Sequence, residues 1–170
     1  MRRPDADQAQ PRADRAGNLE RLFRDAAPGL WRAVYAFAAG RSAVADDAVA
    51  EAFARALERA DAIRDPVPWL YRTAFRIAAT ELKRERTERP PQSSPAVVAM
   101  TPPGLGDLLP ALRQLSPAQR AAVVLHYEAD LPVRDVARQM GTSVAAVKVH
   151  LFRGRRRLRD LLGAEEAGDD

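Results

Sequence analysis

Val133-Arg134-Asp135-Val136-Ala137-Arg138-Gln139-Met140-Gly141-Thr142-Ser143-Val144-Ala145-Ala146-Val147-Lys148 carries the sharpest local signal in the chain. Ala137 sits where two helices can cross closely and a larger side chain would hold them apart. Gly141, four residues on, can adopt the positive φ that a tight turn needs. Val147, six further, would pack the second helix onto the first, and Thr142 or Ser143 would cap it. This spacing predicts a helix-turn-helix whose second helix enters a major groove. An ordinary helical hairpin can share the spacing, so the residues that follow carry the distinction. From Lys148 to Arg159 there are six basic residues and no acid. Stepped at 100° per residue, Val144, Val147, Leu151, Leu158 and Leu161 form one buried stripe, with Gly154 in the remaining slot. Lys148, Arg153, Arg156 and Arg159 fall on the far side, flanked by Arg155 and Arg157. A solvated helix usually mixes signs to gain i,i+4 pairs. A single-signed face repels itself, and a polyanion relieves that repulsion. Ser143, Ala145, Ala146, Lys148 and Val149 lie near the groove-entering start, and the small alanines allow thymine-methyl contact. Arg153, Arg156 and Arg159 are better placed for phosphates. His150, at the edge of this face, reads as a polar filler, with a phosphate contact as the alternative, and His126 reads as structural.

Working outward, this block extends over residues 107–162 as four helices, at about 107–114, 117–129, 132–140 and 143–162. Ser116-Pro117 reads as an N-cap followed by a first-turn proline, and Leu131-Pro132 repeats the device. Residues 163–170 form an acidic tail. Upstream, Pro90, Pro91, Pro95, Pro102, Pro103 and Gly104 mark residues 89–106 as a flexible linker, since proline removes backbone donors and resists helix. Residues 19–88 are again helical in pattern. A first helical pair carries Phe23, Trp31, Val34, Tyr35 and Phe37, broken near Pro28. Gly40 can end it and Ser42 can cap the next helix, 43–60, with Val49, Phe53 and Leu57 as its apolar stripe. Pro66 and Pro68 open a third helix to about Arg86. Residues 1–18, with almost nothing large and apolar, read as a disordered arm. The expected architecture is all-α: two small helical domains on a Pro-rich tether, the second with the helix-turn-helix. Each is small enough to bury only about 60% of its unfolded surface, so each is marginal alone.

The third helix has two unlike faces. Leu70, Tyr71, Ala74, Phe75, Ile77, Ala78 and Leu82 cluster on one. Trp69, Arg72, Thr73, Arg76, Thr80 and Lys83 cluster on the other. Basic residues rising along a stripe with a tryptophan at its start suit stacking plus phosphate contact, and stacking an unpaired base is worth roughly 1–3 kcal/mol. Trp69 could equally pack under the loop Asp61–Pro68. On the second helix Asp47, Glu51 and Glu58 share one side, with Ala54 between them. That stripe would repel DNA, so it faces water or a basic protein.

Composition excludes several classes. The 170 residues contain no cysteine and two histidines, so a thiolate site, a disulfide framework and a cysteine nucleophile are impossible. No nucleophile–base pair, Gly-rich phosphate loop or metal-ligand spacing is present, which leaves catalytic, cofactor and metal sites unassigned and the reading non-enzymatic. No apolar run approaches the roughly 20 residues that span a bilayer, and Met1-Arg2-Arg3-Pro4-Asp5 opens no secretory signal. A cytoplasmic protein without membrane insertion is expected. Of 27 basic residues 25 are Arg, a skew that a GC-rich genome explains. The net charge of +4 conceals +5 on residues 107–162 and −4 on the tail.

These residues resemble the sigma-70 family of bacterial RNA polymerase sigma factors. Asp46-Asp47-Ala48-Val49-Ala50-Glu51-Ala52-Phe53 resembles its core-binding helix. Pro68-Trp69-Leu70-Tyr71-Arg72 with Leu82-Lys83-Arg84 resembles its −10-element helix. Leu115-Ser116-Pro117-Ala118-Gln119-Arg120 and Gly141 to Arg159 resemble its −35-binding domain. Two outer domains without a middle one are the layout of the extracytoplasmic-function class (ECF, group 4). The resemblance implies region 2 at 19–88 and region 4 at 107–162. It implies a factor that binds core RNA polymerase, through the β′ clamp helices and the β subunit, and directs initiation at promoter DNA. Asp47 and Glu51 would dock on the clamp helices. Trp69, Arg72, Arg76, Thr80 and Lys83, with the Asp61–Pro68 loop, would hold −10 bases flipped from the melting duplex. Thr142, Ser143, Ala145, Ala146, Lys148, Val149, Arg153 and Arg156 would read the −35 duplex. An anti-sigma factor is a further implied partner. About 20 residues of Pro-rich tether, at roughly 3.1 Å each, reach about 60 Å, similar to the separation of the two elements. The chain departs from the family where Arg76 and Thr80 stand for the common Asn and Asp. Ala50 stands for Gln, and Val144 for Glu. The competing reading is a helix-turn-helix repressor or activator acting apart from polymerase, against which the acidic stripe and the tether argue.

Overall fold

A computed structural model describes residues 9–59, 62–88 and 101–166. It comprises seven helices: α1 (Ala9–Phe37), α2 (Ser42–Glu58), α3 (Pro66–Glu88), α4 (Leu108–Arg113), α5 (Pro117–Tyr127), α6 (Val133–Met140) and α7 (Val144–Glu166). Among the described residues there is no strand, and no helix is long and apolar enough to cross a membrane. Residues 1–8 of the expected arm, Ala60 and Asp61, most of the linker (89–100) and the end of the tail (167–170) lie outside the described residues.

α1 departs from the expected break. It runs unbroken through Pro28 and begins at Ala9, inside the stretch expected to be an arm. A proline inside a helix removes one ladder hydrogen bond and costs about 3 kcal/mol. Here Pro28 is exposed, so water can serve the freed carbonyl. On either side Phe23 and Leu30 are buried, and Phe23 packs on Phe53 of α2 with ring centroids 5.0 Å apart. Burying those side chains outweighs the lost bond. α1 ends at a turn in which Ala39 (φ 56) and Gly40 (φ 86) are both left-handed, and the Gly40 N–H donates to the Tyr35 carbonyl at 2.9 Å. Ser42 lies inside α2 and does not cap it; Arg41 holds the N-cap position without a side-chain bond. Leu57 is also not part of the core. It is 59% exposed, while Val44, Ala45, Ala48, Val49, Ala52 and Ala56 form the buried face.

α3 starts at Pro66 and buries Leu70, Ala74, Phe75, Ala78 and Leu82 against α1 and α2, with Tyr71 and Ile77 half-buried. In the second block, the Ser116 hydroxyl accepts from the Gln119 N–H while the Gln119 side chain accepts from the Ser116 N–H, a complete capping box ahead of Pro117. Pro132 does not repeat the device: it is itself the residue ahead of α6, with no side-chain cap. α7 passes the expected end and continues to Glu166, so the tail begins as helix.

The two blocks pack together. Their buried residues form one continuous cluster, from Phe23 and Leu30 through Leu105 and Leu112 to Val147 and Leu151. The last part of the stretch expected to be linker belongs to this core: Leu105 is fully buried and its N–H donates to the Pro102 carbonyl. Gly40 makes the approach possible. A Cβ there would lie 2.7 Å from Leu109 Cδ2 and 2.8 Å from an Arg113 guanidinium nitrogen.

Candidate polymerase and promoter interfaces

The helix-turn-helix forms as the spacing predicts. Val136 and Val147 are fully buried and Ala137 nearly so, which lets α6 and α7 cross closely. Gly141 adopts φ 64, ψ 36, and the Thr142 N–H reaches the Ala137 carbonyl at 3.0 Å, closing a Schellman-type end to α6. Ser143, rather than Thr142, caps α7: its hydroxyl accepts from the Ala146 N–H at 3.1 Å. Gly154 fills a slot against α5 where a Cβ would meet Val123 Cγ2 at 2.9 Å. Val144 leaves the predicted buried stripe and is 37% exposed, because it begins the helix ahead of the crossing.

The outward face of α7 is exposed at Ala145, Lys148, Val149, Arg153 and Arg156, with Thr142 and Ser143 exposed just ahead and Ala146 half-buried. Arg155 and Arg157 are tied back to the body, to the Tyr127 hydroxyl at 3.2 Å and the Gln114 side chain at 3.3 Å. Among the described residues, Lys148, Arg153, Arg156 and Arg159 make no salt bridge and no side-chain hydrogen bond, so their charges are free for an outside anion. Phe152 was not among the expected contact residues. It is 60% exposed. Stepping 100° per residue puts it on the outward side with Val149 and Arg156, the signal that could have found it.

On α3, Arg72, Arg76, Thr80 and Lys83 are exposed along one side, as expected, and Trp69 is half-buried against the core edge. Trp69 thus packs in part and still presents surface. The Thr80 hydroxyl donates to the Arg76 carbonyl at 2.9 Å, so its proton is committed to the helix. Arg84 faces away into an acidic group. Its pKa is raised by the hydrogen bond to Glu81 and by the charges of Glu81, Glu88 and Glu85.

On α2, Asp47, Glu51 and Glu58 are exposed on the side shared with Ala43, Ala50, Ala54 and Leu57. Three alanines make this face flat, and Leu57 adds an apolar patch that the periodicity had assigned to the core. Glu51 accepts from Arg55 at 2.7 Å, and neighbouring Asp46 accepts from the Trp31 indole at 2.7 Å. An exposed i,i+4 pair is worth under about 1 kcal/mol, so Glu51 can exchange Arg55 for another cation. The His126 Nδ1–H donates to the Leu131 carbonyl at 2.9 Å, a structural role.

Comparison with known proteins bears on these surfaces together. The sigma-70 region 2 profile matches residues 22–88 and the sigma-70 region 4 profile residues 105–158. The chain is 30% identical over 189 aligned positions to the ECF RNA polymerase sigma factor BldN of Streptomyces coelicolor, covering 95% of this chain and 70% of that protein. The chain belongs to the ECF class of the sigma-70 family. As a sigma factor it directs core RNA polymerase to promoters for transcription initiation, which sets aside a regulator acting apart from polymerase. This sigma factor is also 33% identical to RNA polymerase sigma factor CarQ of Myxococcus xanthus, over 59% of this chain and 62% of that one. Two solved structures share its fold. The sigma factor RpoE, bound to the anti-sigma factor NepR from Bartonella quintana, superposes with a TM-score of 0.72 at 22% identity, covering 86% of this chain and 97% of that one. CnrH, bound to the cytosolic domain of CnrY, gives 0.60 at 23% identity, covering 94% and 99%.

Proposed function

We propose that three faces of this sigma factor divide the work of initiation. The α2 face, with Asp47 and Glu51 as its charges and Leu57 as an apolar contact, docks on the basic clamp helices of the polymerase β′ subunit. The outward face of α7, from Thr142 and Ser143 through Ala145, Ala146, Lys148 and Val149 to Arg153 and Arg156, enters the major groove of the −35 duplex. Phe152 adds a large apolar contact suited to a thymine methyl. The α3 stripe of Trp69, Arg72, Arg76, Thr80 and Lys83 holds −10 bases as the duplex melts. Unstacking a base costs a few kcal/mol, which the stripe returns through stacking and phosphate contact. The β subunit is a second polymerase contact, the site of action is the cytoplasm, and an anti-sigma factor controls the protein.

The observation that carries this reading is the single-signed outward face of α7, without ion pairs among the described residues, in the same chain as an exposed acidic face on α2. One binds a polyanion and the other requires a cationic protein, as a bridge between promoter and polymerase does. The test is transcription in vitro with core polymerase on fragmented genomic DNA, with start sites mapped. Shared −35 and −10 sequences upstream of the starts are expected. Failure to co-elute with core polymerase on gel filtration overturns the docking assignment.

A further inference from the structure

The two helical blocks meet around a cavity of about 470 Å³. That size suits one small molecule. Its charge is one-sided: Arg41, Arg76, Lys83, Arg86 and Arg120 line it, and no carboxylate does. Glu85 reaches Arg41 alone among them, at 3.6 Å. Among the described residues, Arg76, Lys83, Arg86 and Arg120 have no acidic partner. Arg120 is held instead by the Phe37 and Leu112 carbonyls, at 3.0 and 3.4 Å. Burial, then the charges of Arg41 and Arg86, push its pKa down. An arginine does not release its proton in a protein, so the crowding persists as repulsion that an anion from outside relieves.

The remaining walls are apolar or accept hydrogen bonds. Phe37, packed edge-on against Phe75 with centroids 5.0 Å apart, and Met140 are half-buried at the cavity. An aromatic ring and a polarisable thioether are good neighbours for a flat ring. Two oxygens beside them lack donors. The Gln139 amide N–H donates to the Arg72 carbonyl at 2.9 Å, and its amide oxygen accepts no bond among the described residues. The Thr80 hydroxyl commits its proton to the Arg76 carbonyl at 2.9 Å, which leaves its oxygen as an acceptor. A ring with an exocyclic amino group matches these acceptors. A phosphate chain matches the cations, because guanidinium groups hold phosphate oxygens in pairs and the chain packs several negative charges together.

We propose that this cavity binds a nucleoside polyphosphate whose base carries an amino group. The phosphates lie on Lys83, Arg86 and Arg120, the base lies against Phe37 and Met140, and its amino group donates to Gln139 or Thr80. The site draws on α1, α3, α5 and α6, so it exists only where the two blocks meet. Arg76, Thr80 and Lys83 also belong to the stripe proposed for −10 bases, so a bound nucleotide and the −10 strand exclude each other. That consequence rests on the −10 assignment; the binding of the nucleotide does not.

Calorimetric titration of the full chain with ATP and GTP tests the site, with adenosine, guanosine and inorganic tripolyphosphate as the separate halves. At least one of the two nucleotides should bind one to one, and about tenfold or more tighter than either half. Arg86→Glu should weaken the nucleotide about tenfold or more, the loss of one charge-assisted bond. Arg86 is exposed, so the thermal midpoint without nucleotide should move little. Met140→Ala should weaken the nucleotide and leave tripolyphosphate unchanged, which separates the base contact from simple loss of charge. Arg24→Glu, the same charge change at an exposed position of α1, should leave binding as it was. No saturable binding of either nucleotide overturns the proposal, as does an unchanged affinity in Arg86→Glu or tripolyphosphate binding as tightly as the nucleotides. Arg153→Ala with Arg156→Ala weakening the nucleotide as much as Arg86→Glu also overturns it, by placing the anion on α7. A single-stranded oligonucleotide with the −10 sequence recovered by start-site mapping should displace the nucleotide. Retention of the nucleotide beside the bound oligonucleotide overturns the −10 assignment of the shared residues and leaves the nucleotide site standing.

Discussion

Arg153 and Gly40 show what single positions contribute. Arg153 is exposed on the outward face of α7 and makes no ion pair among the described residues. A side chain that neutralises one phosphate releases about one counterion, so Arg153→Ala should weaken binding at every promoter and flatten the salt slope by about one. Anisotropy titrations of holoenzyme on a −35 duplex across a salt series measure this, and an unchanged slope places the residue off the DNA. Gly40 is needed twice, for its φ of +86 and for the approach of Leu109 and Arg113. Gly40→Ala should destabilise the fold by about 2 kcal/mol or more, read from the denaturant midpoint. At this scale the roles of Ala137, Gly141 and Val147 were legible, because a tight crossing and a left-handed turn admit few residue types. Leu57 and Phe152 were not. A large apolar residue is assigned to the core by default, and only the packing of its neighbours tells which side of a helix is left uncovered.

At the scale of elements, α2 and α3 present opposite charges and should fail independently. The exposed acids of α2 make Asp47→Lys with Glu51→Lys a test of docking alone: co-elution with core polymerase should be lost while the thermal midpoint moves little, since neither side chain is buried. For α3, Arg76→Asn with Thr80→Asp restores the residues common in the family. It should change the −10 sequences recovered by start-site mapping more than it changes affinity for core polymerase. Identical promoter profiles before and after would falsify the −10 assignment of this stripe. Most elements were legible, since Ser116-Pro117 and Pro66 mark helix starts chemically and Gly40 and Gly141 mark ends. α1 was the exception. Pro28 is a sound local reason to break a helix, but Phe23 and Leu30 are both buried against partners outside α1, and burial prevails over propensity.

Over the whole molecule the two blocks share a core, with Leu105 fully buried between the end of the linker and α4. Two independent small domains would unfold in separate steps. A continuous core predicts a single cooperative transition in calorimetry, with calorimetric and van't Hoff enthalpies equal. Two resolved transitions would mean that the blocks melt apart first. Charge at this scale is also arranged by packing. Arg120 is held below the usual arginine range by burial and by the charges of Arg41 and Arg86, yet it stays in place because it caps the Phe37 carbonyl. Tyr71 is pushed up by burial and by Glu128.

The helices, the helix-turn-helix, the acidic and basic faces and the family can all be read from the residues alone. These follow from residues within a turn or two of each other, where periodicity, capping and backbone conformation act directly. Packing between distant segments sets the contact between the two blocks and keeps Pro28 within a helix. The same packing leaves Leu57 and Phe152 in water. Arg32 meets Glu128 across 96 residues and Gln139 meets Arg72 across 67, contacts set by the shape of two assembled cores.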